Sequence, residues 1–125
     1  MNFPIVSVVI PVYNDYKRLD LCLQALAVQS YSGEIEVIVA DNNSSNFDDS
    51  IIEKYPNVIK IVETKLGSYA ARNKALPMLN GQIIAFTDSD CIPDPDWIKN
   101  GVAMLQDNQV SLIAGNVDIF FESTS

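Results

Sequence analysis

Apolar and polar positions along the chain follow two alternating rhythms, one of continuous β-branched runs and one of helical spacing. Residues 5–10, "IVSVVI", form an apolar run ended by Pro11 and predict a strand buried on both faces. From Tyr16 the rhythm changes: Leu19, Cys22, Leu23 and Leu26 fall at i, i+3, i+4 and i+7, the stripe of an amphipathic helix. Residues 35–40, "IEVIVA", predict a second strand, 41–46 a loop, and residues around 49–55 a short helix. A third strand is expected at 58–62. Gly67 and Ser68 then open a run of strong helix formers, "SYAARNKAL", which Pro77 should kink or stop. The pattern continues with a strand at 82–86, a helix at 96–105 with Pro95 near its first turn, and extended segments at 110–114 and 116–121.

Strands alternating with helices imply right-handed crossovers and an α/β fold, a Rossmann-like, mostly parallel sheet flanked by helices. At 125 residues, 48% of them apolar, the chain suits one domain spanning 1–125, with no repeat, linker or low-complexity stretch. In open sheets of this kind ligands bind at the carboxyl ends of the strands. Those ends read "PVYND" (11–15), "DNNSS" (41–45), "ETKLG" (63–67) and "TDSD" (87–90), each polar and each directly after an apolar run. The opposite ends carry no comparable cluster, so one rim of the sheet is the expected site.

Composition narrows the chemistry. The absence of histidine removes His-based triads, His general bases and His-ligated zinc. Sixteen acidic against eight basic residues give a net charge of −8, which disfavours nucleic acid and anionic membranes as partners. An acidic domain that binds a phosphate-bearing ligand wants a divalent cation between the two. Cys22 and Cys91 are too few for a disulfide framework or a zinc site. No apolar run approaches the roughly 20 residues needed to span a bilayer. The N-terminus lacks the features of a signal peptide, so the expected location is cytoplasmic, with peripheral attachment at the inner face of the membrane left open.

The sharpest chemical feature is Asp88-Ser89-Asp90, where residues i and i+2 of extended backbone project to the same side. Two carboxylates converging on one point suit a hard cation such as Mg²⁺ or Mn²⁺, which keeps open positions for phosphate; a solvated turn is the bland alternative. An EF-hand fails because Ile92 takes a ligand position and Pro93 the turn glycine's place; a P-loop and a G-x-G-x-x-G fingerprint are absent. Asp41 and Asn43, with their polar neighbours, offer groups for a base or ribose edge, against an Asx-turn for 43–46. Gly67 and Ser68 open a helix toward an anion, and Arg72 one turn on is left between binding phosphate and bracing Asp41 or Asp88. Tyr13 is open between stacking on a base and ordinary packing. Trp97 is assigned to the core, and Asp94 and Asp96 to the turn and helix start after the site.

In order and spacing, "VSVVIPVYND", "VIVADNNSSN", "GSYAARNKAL" and "IIAFTDSDCIPDPDWI" resemble the inverting family 2 glycosyltransferases of the GT-A fold, over residues 6–115. The resemblance implies a nucleotide-diphosphate sugar donor, a UDP-sugar foremost, held with Mn²⁺ or Mg²⁺ and transferred to an acceptor sugar or lipid-linked glycan. Pro11, Val12 and Tyr13 would then line the nucleoside pocket, Asp41 would contact the base, and Arg72 would lie near base and diphosphate. Asn43 and Ser89 would belong to the same donor site, Asp88 would lie by ribose or metal, and Asp90 would ligate the metal.

Two departures stand out. Pro77 interrupts a helix that the family continues, and the family's acceptor-binding half and catalytic base have no visible counterpart after Gly115, where Asp118 and Glu122 carry no motif. The expectation is therefore a donor-binding half, with "IFF" at 119–121 left as an apolar edge and self-association as a corollary. Two alternatives compete: a haloacid-dehalogenase-like phosphatase with Asp88 as nucleophile, and a noncatalytic nucleotide-binding module.

Overall fold

The computed structural model describes residues 3–108, 112–115 and 118–122, with side chains through Leu105. Strands β1 (Val6–Val12), β2 (Ile35–Asp41), β3 (Val58–Val62), β4 (Ile83–Phe86), β5 (Leu112–Gly115) and β6 (Asp118–Glu122) form one sheet in the order β3-β2-β1-β4-β6-β5. The first four strands pair in parallel, and β6 runs antiparallel to both β4 and β5. Helices α1 (Tyr16–Ala27), α2 (Asp49–Glu53), α3 (Ser68–Ala75) and α4 (Trp97–Asn108) connect them.

The period of two sorts the strands onto two cores. Val6, Val8, Ile10 and Val12 of β1 join Val37 and Val39 of β2 in the larger one, packed against Leu19, Cys22, Leu23 and Leu26 of α1 and Ile98, Val102 and Leu105 of α4. Trp97 packs against this core, as assigned. Val9, Ile38 and Ile84 face the other way, where α3 lies on β1, β2 and β3 and contributes Ala75. Small residues at Ala71 and Ala75, both fully buried, let that helix approach closely.

Several boundaries differ from those expected. The first strand does not stop at Pro11 but runs through it, pairing with Ala40. The reason lies in the ladder. Odd residues of β1 face β4, as Thr87 N–H donating to Val9 O shows, and β4 ends at Phe86 opposite Val9. The donor that Pro11 lacks would thus point past the end of β4, where no strand would receive it. Pro77 does end α3, which passes into a 3-10 turn over Leu76–Met78. The second helix is shorter than expected, closing at Glu53 with Lys54 N–H bonded back to Ile51 O. The segment 119–121 is no edge: β6 is paired on both sides, and β5 takes the outer position. Residues 110, 111, 116 and 117 of the expected fifth and sixth segments lie outside the described residues.

The end of the sheet opposite the expected site carries a polar knot that the sequence pattern does not reveal. Ser7 Oγ donates to Glu36 Oε2 at 2.5 Å, Asn80 N–H donates to the same oxygen at 2.7 Å, and Gly81 N–H donates to Ser7 Oγ at 2.8 Å. A Cβ on Gly81 would lie 2.4 Å from Ser7 Oγ and 2.6 Å from Ser7 N. The second atom is backbone and cannot rotate away. Gly81→Ala is therefore expected to destabilise the fold by about 1–3 kcal/mol, read as a lower urea midpoint with an unchanged m-value.

Partial burial pushes the Glu36 carboxyl up, but the hydrogen bonds from Ser7, Asn80 and Gly81 outweigh it and set it below its ordinary value of 4.5. A carboxylate so lowered stabilises the fold above that value, and the contribution is lost as pH falls through the lower folded value. Glu36→Gln is expected to remove that part of the acid sensitivity. Melting curves of both proteins between neutral pH and pH 3 would show the two converging at the acid end.

Candidate functional site

Parallel order β3-β2-β1-β4 brings the carboxyl ends of all four strands to one rim, and successive strands are added outward in opposite directions on either side of the point between β1 and β4. A cavity of about 250 Å³ opens there. Its wall takes Pro11, Val12, Tyr13, Asn14, Asp15 and Arg18 from the first strand end, Asn42 from the second, Ser68 from α3, and Asp88, Ser89 and Asp90 from the fourth. Four segments that the sequence singled out separately thus meet in one place. Asp41, Asn43 and Arg72 are not part of this wall.

The acidic loop is held from three directions. Thr87 N–H continues the ladder to Val9 O at 3.3 Å, and Cys91 N–H closes a turn on Asp88 O at 3.1 Å. Ser89 is buried and its Oγ donates to Asp15 Oδ2 at 3.0 Å. Arg72 Nη2 pairs with Asp88 Oδ1 at 3.2 Å, while its guanidinium lies 5.6 Å from the Phe86 ring centroid. Of the options the sequence left open for Arg72, the geometry shows the brace on Asp88; its Nε is buried with no hydrogen-bond partner. Asp88 and Asp90 are consequently unlike: the first shares a guanidinium, the second stands exposed at the rim.

The donor set suits a divalent cation. One ligand atom each from Asp88, Asp90 and Cys91 lie within 4.8 Å of one another, and Cys91 Sγ donates to Asp90 Oδ1 at 3.7 Å. Two carboxylates on one side of a tight turn are hard oxygen ligands for Mg²⁺ or Mn²⁺; the thiol is a softer neighbour.

Asp41 sits at the end of β2, only 2% exposed, with both oxygens occupied. Tyr16 donates its hydroxyl to Oδ2 at 2.8 Å and Ser44 its N–H to Oδ1 at 2.9 Å. Burial first, then the hydrogen bond to Asp41, pushes the Tyr16 phenol far up and keeps it a donor. Asn43 is exposed at φ 63°, a left-handed turn position that asparagine tolerates. Its neighbour Asn42 does more. Its amide donates to Glu63 O and Lys65 O at 3.0 and 2.6 Å and accepts from Gly67 N–H at 2.7 Å, fixing the approach to α3. Asn14, at φ 52°, accepts from Ser45 N–H at 2.8 Å and donates its own N–H to Ser44 Oγ at 2.9 Å. Loops after β1 and β2 are thereby joined. A second cavity of about 460 Å³ adjoins the first, sharing Asn14, Asp15 and Arg18 and reaching Lys17, Asn46 and Asp48.

Asp94 and Asp96 lie away from the cavity, as expected. Asp94 Oδ1 accepts from Asp96 N–H at 2.9 Å, and Asp96 Oδ1 accepts from Ser30 Oγ at 2.6 Å, tying the start of α4 to the end of α1. What sequence reasoning missed is Asp15 with Arg18. Asp15 stands at the N-cap position of α1 yet makes no side-chain cap; its carboxylate instead takes Arg18 Nε at 2.7 Å and Ser89. The i,i+3 spacing of Asp and Arg was a signal, but one shared by many ordinary surface pairs.

The model of glycosyl transferase family 2 matches residues 7–125. The glycosyltransferase AglE of Haloferax volcanii is 39% identical over 96% of this chain and 41% of its own length. An Escherichia coli UDP-Glc:alpha-D-GlcNAc-diphosphoundecaprenol beta-1,3-glucosyltransferase is 29% identical over 95% of this chain and 48% of its own. Among solved structures, S. aureus TarS 1-349 in complex with UDP is 29% identical with a TM-score of 0.78, covering 86% of this chain and 33% of that one. The Pyrobaculum calidifontis mannosyltransferase PcManGT in complex with GDP-Man and Mn2+ shares the fold, with a TM-score of 0.86 over 98% of this chain and 45% of that one at 24% identity. The chain thus spans less than half the length of these relatives. No helix among the described residues is long and apolar enough to cross a membrane.

Proposed function

This chain belongs to glycosyl transferase family 2, and on that footing we propose that its rim site binds the nucleotide diphosphate of a sugar donor, together with Mn²⁺ or Mg²⁺, for transfer of the sugar with inversion. One observation carries the reading. Three of the strand-end segments and the start of α3 meet in a single cavity that contains both carboxylates of Asp88-Ser89-Asp90, with their ligand atoms close enough to share one cation. The complexes of TarS with UDP and UDP-GlcNAc support a UDP-sugar as the first candidate, and that of PcManGT with GDP-Man and Mn2+ supports a divalent cation.

In this reading Pro11 and Val12 wall the nucleoside pocket, and Tyr13, 56% exposed at its mouth, offers a ring for the base to stack on. Asp41 acts from within: through Tyr16 and Ser44 it fixes the loop that borders the base, with Asn43 at the turn. Arg72 holds Asp88 in place beside ribose and cation, Ser89 anchors the loop on Asp15, and Asp90 is the exposed metal ligand. A cation held there would neutralise the departing diphosphate. The acceptor hydroxyl needs a base. Asp118 and Glu122 lie on β6, of which only the backbone is described. The chain is proposed as the donor-binding domain, with the base that acts on the acceptor assigned to no residue of this rim.

The phosphatase alternative finds no support, since the family match lies elsewhere and Asp88 is ion-paired rather than presented as a nucleophile. Titration calorimetry with UDP, GDP and ADP, each with and without Mn²⁺, tests the proposal. Binding of at least one diphosphate that requires the metal is expected; no binding by any of them under either condition would contradict it.

A further inference from the structure

The cavity confronts a diphosphate with three carboxylates, Asp15, Asp88 and Asp90, and one divalent cation does not offset all of them. Arg72, the cation the sequence brought forward, is committed to Asp88 and does not line the wall. Arg18 does line it, and is the one basic side chain among the described residues that does. Its setting is unlike that of a loose surface arginine. Nε donates to Asp15 Oδ1 at 2.7 Å, and the other oxygen of Asp15 is held at 3.0 Å by Ser89, the central residue of the acidic loop. The guanidinium is therefore anchored at one nitrogen to the same carboxylate that positions the acidic loop. Neither Nη makes a hydrogen bond among the described residues, and the side chain is 63% exposed. A planar fork, fixed at its stem and open at its two ends, matches the oxygens of a phosphate group. Asp15 gives up capping α1 to make this arrangement.

We propose that Arg18, oriented by Asp15, contacts the phosphate groups of the donor nucleotide and supplies the protein's own positive charge at that site. The proposal rests on the donor-site reading above and adds a residue to it. Asp15 is then a positioning residue that works through Arg18, and the Asp15–Ser89 bond couples the anion-contacting arm to the metal-binding loop.

The test is the affinity of UDP and of uridine, or of GDP and guanosine if GDP is the better ligand, in the presence of Mn²⁺. Wild type, Arg18→Gln, Arg18→Lys and Asp90→Ala are compared by calorimetry. Arg18→Gln is expected to weaken the diphosphate by about tenfold or more, the scale of one lost charge-assisted contact, and to leave the nucleoside unchanged. Arg18→Lys is expected to recover part of the loss, because it restores charge without the fork. An Arg18→Gln protein that binds the diphosphate as wild type does, while Asp90→Ala abolishes it, overturns the role of Arg18 and leaves the donor site standing. Equal losses for diphosphate and nucleoside also overturn it, since they mark a general disturbance of the pocket. A wild-type chain that binds neither ligand overturns both readings.

Discussion

Replacing Asp90 by alanine is expected to abolish the metal-dependent part of nucleotide binding while leaving the fold intact. Asp90 is exposed at the rim, and among the described residues its side chain accepts one hydrogen bond, from the thiol of Cys91, so its loss removes no packing. In the wild type, a nucleotide diphosphate at about one hundred times its dissociation constant would stabilise the native state by about 2.7 kcal/mol. For a domain of this length that is on the order of 10 °C in Tm. Without Asp90 the same nucleotide should shift Tm equally little with and without Mn²⁺. A variant that kept the full metal-dependent shift would move the cation to other ligands. Asp88→Ala should behave differently, because it also strands Arg72, whose Nε already lacks a partner. Its unliganded Tm should fall as well.

The largest loss of stability is expected from Asp41→Ala. This carboxylate is 2% exposed, and its removal leaves the buried Tyr16 hydroxyl and the Ser44 N–H without their acceptor. Each orphaned donor costs about 1–3 kcal/mol, so a total of about 2–6 kcal/mol and a fall in Tm on the order of 10–20 °C are expected. The paired variant Tyr16→Phe with Asp41→Ala should lose less than the sum of the two single changes, because each removes the other's partner. Additive losses in urea denaturation would show that the Tyr16–Asp41 bond is not the source. The same experiment bears on function: Asp41 is a framework group for the base-side loop if nucleotide affinity falls only in step with the loss of folded protein.

The fold was largely legible because the strands announce themselves. "IVSVVI" and "IEVIVA" are continuous β-branched runs, and both are buried throughout their paired centres. The helical stripe of Leu19, Cys22, Leu23 and Leu26 is the stripe that α1 buries. The end of β1 was misplaced because proline breaks a ladder only where its N–H would be needed, and that depends on how far β4 extends beside it. The apolar edge expected at 119–121 failed for a related reason: strand order is a property of the whole sheet, and no local pattern says that β6 inserts between β4 and β5.

The site was legible to the level of segments. Asp88, Ser89, Asp90 and the residues 11–13 stand where strand ends were expected to bring them. Partner choices were not legible. Whether Arg72 would face phosphate, Asp41 or Asp88 is decided by where α3 crosses the sheet, and Asp41 turned out to be enclosed by Tyr16, a residue read only as the start of a helix. Asn42 was grouped with Asp41 as a polar residue for a base or ribose edge, whereas its amide makes three bonds to the loop before α3. Asp15 was read only as the last residue of the segment 11–15, and Arg18 was given no role.

The most direct measurement of the donor-site account is a crystal of this chain grown with UDP and Mn²⁺, with anomalous scattering recorded for manganese. The account expects one strong peak in ligating contact with Asp90, with the diphosphate on its other side and the base toward Tyr13. A nucleotide bound elsewhere on the molecule, or a manganese peak with no contact to Asp90 or Asp88, would contradict it.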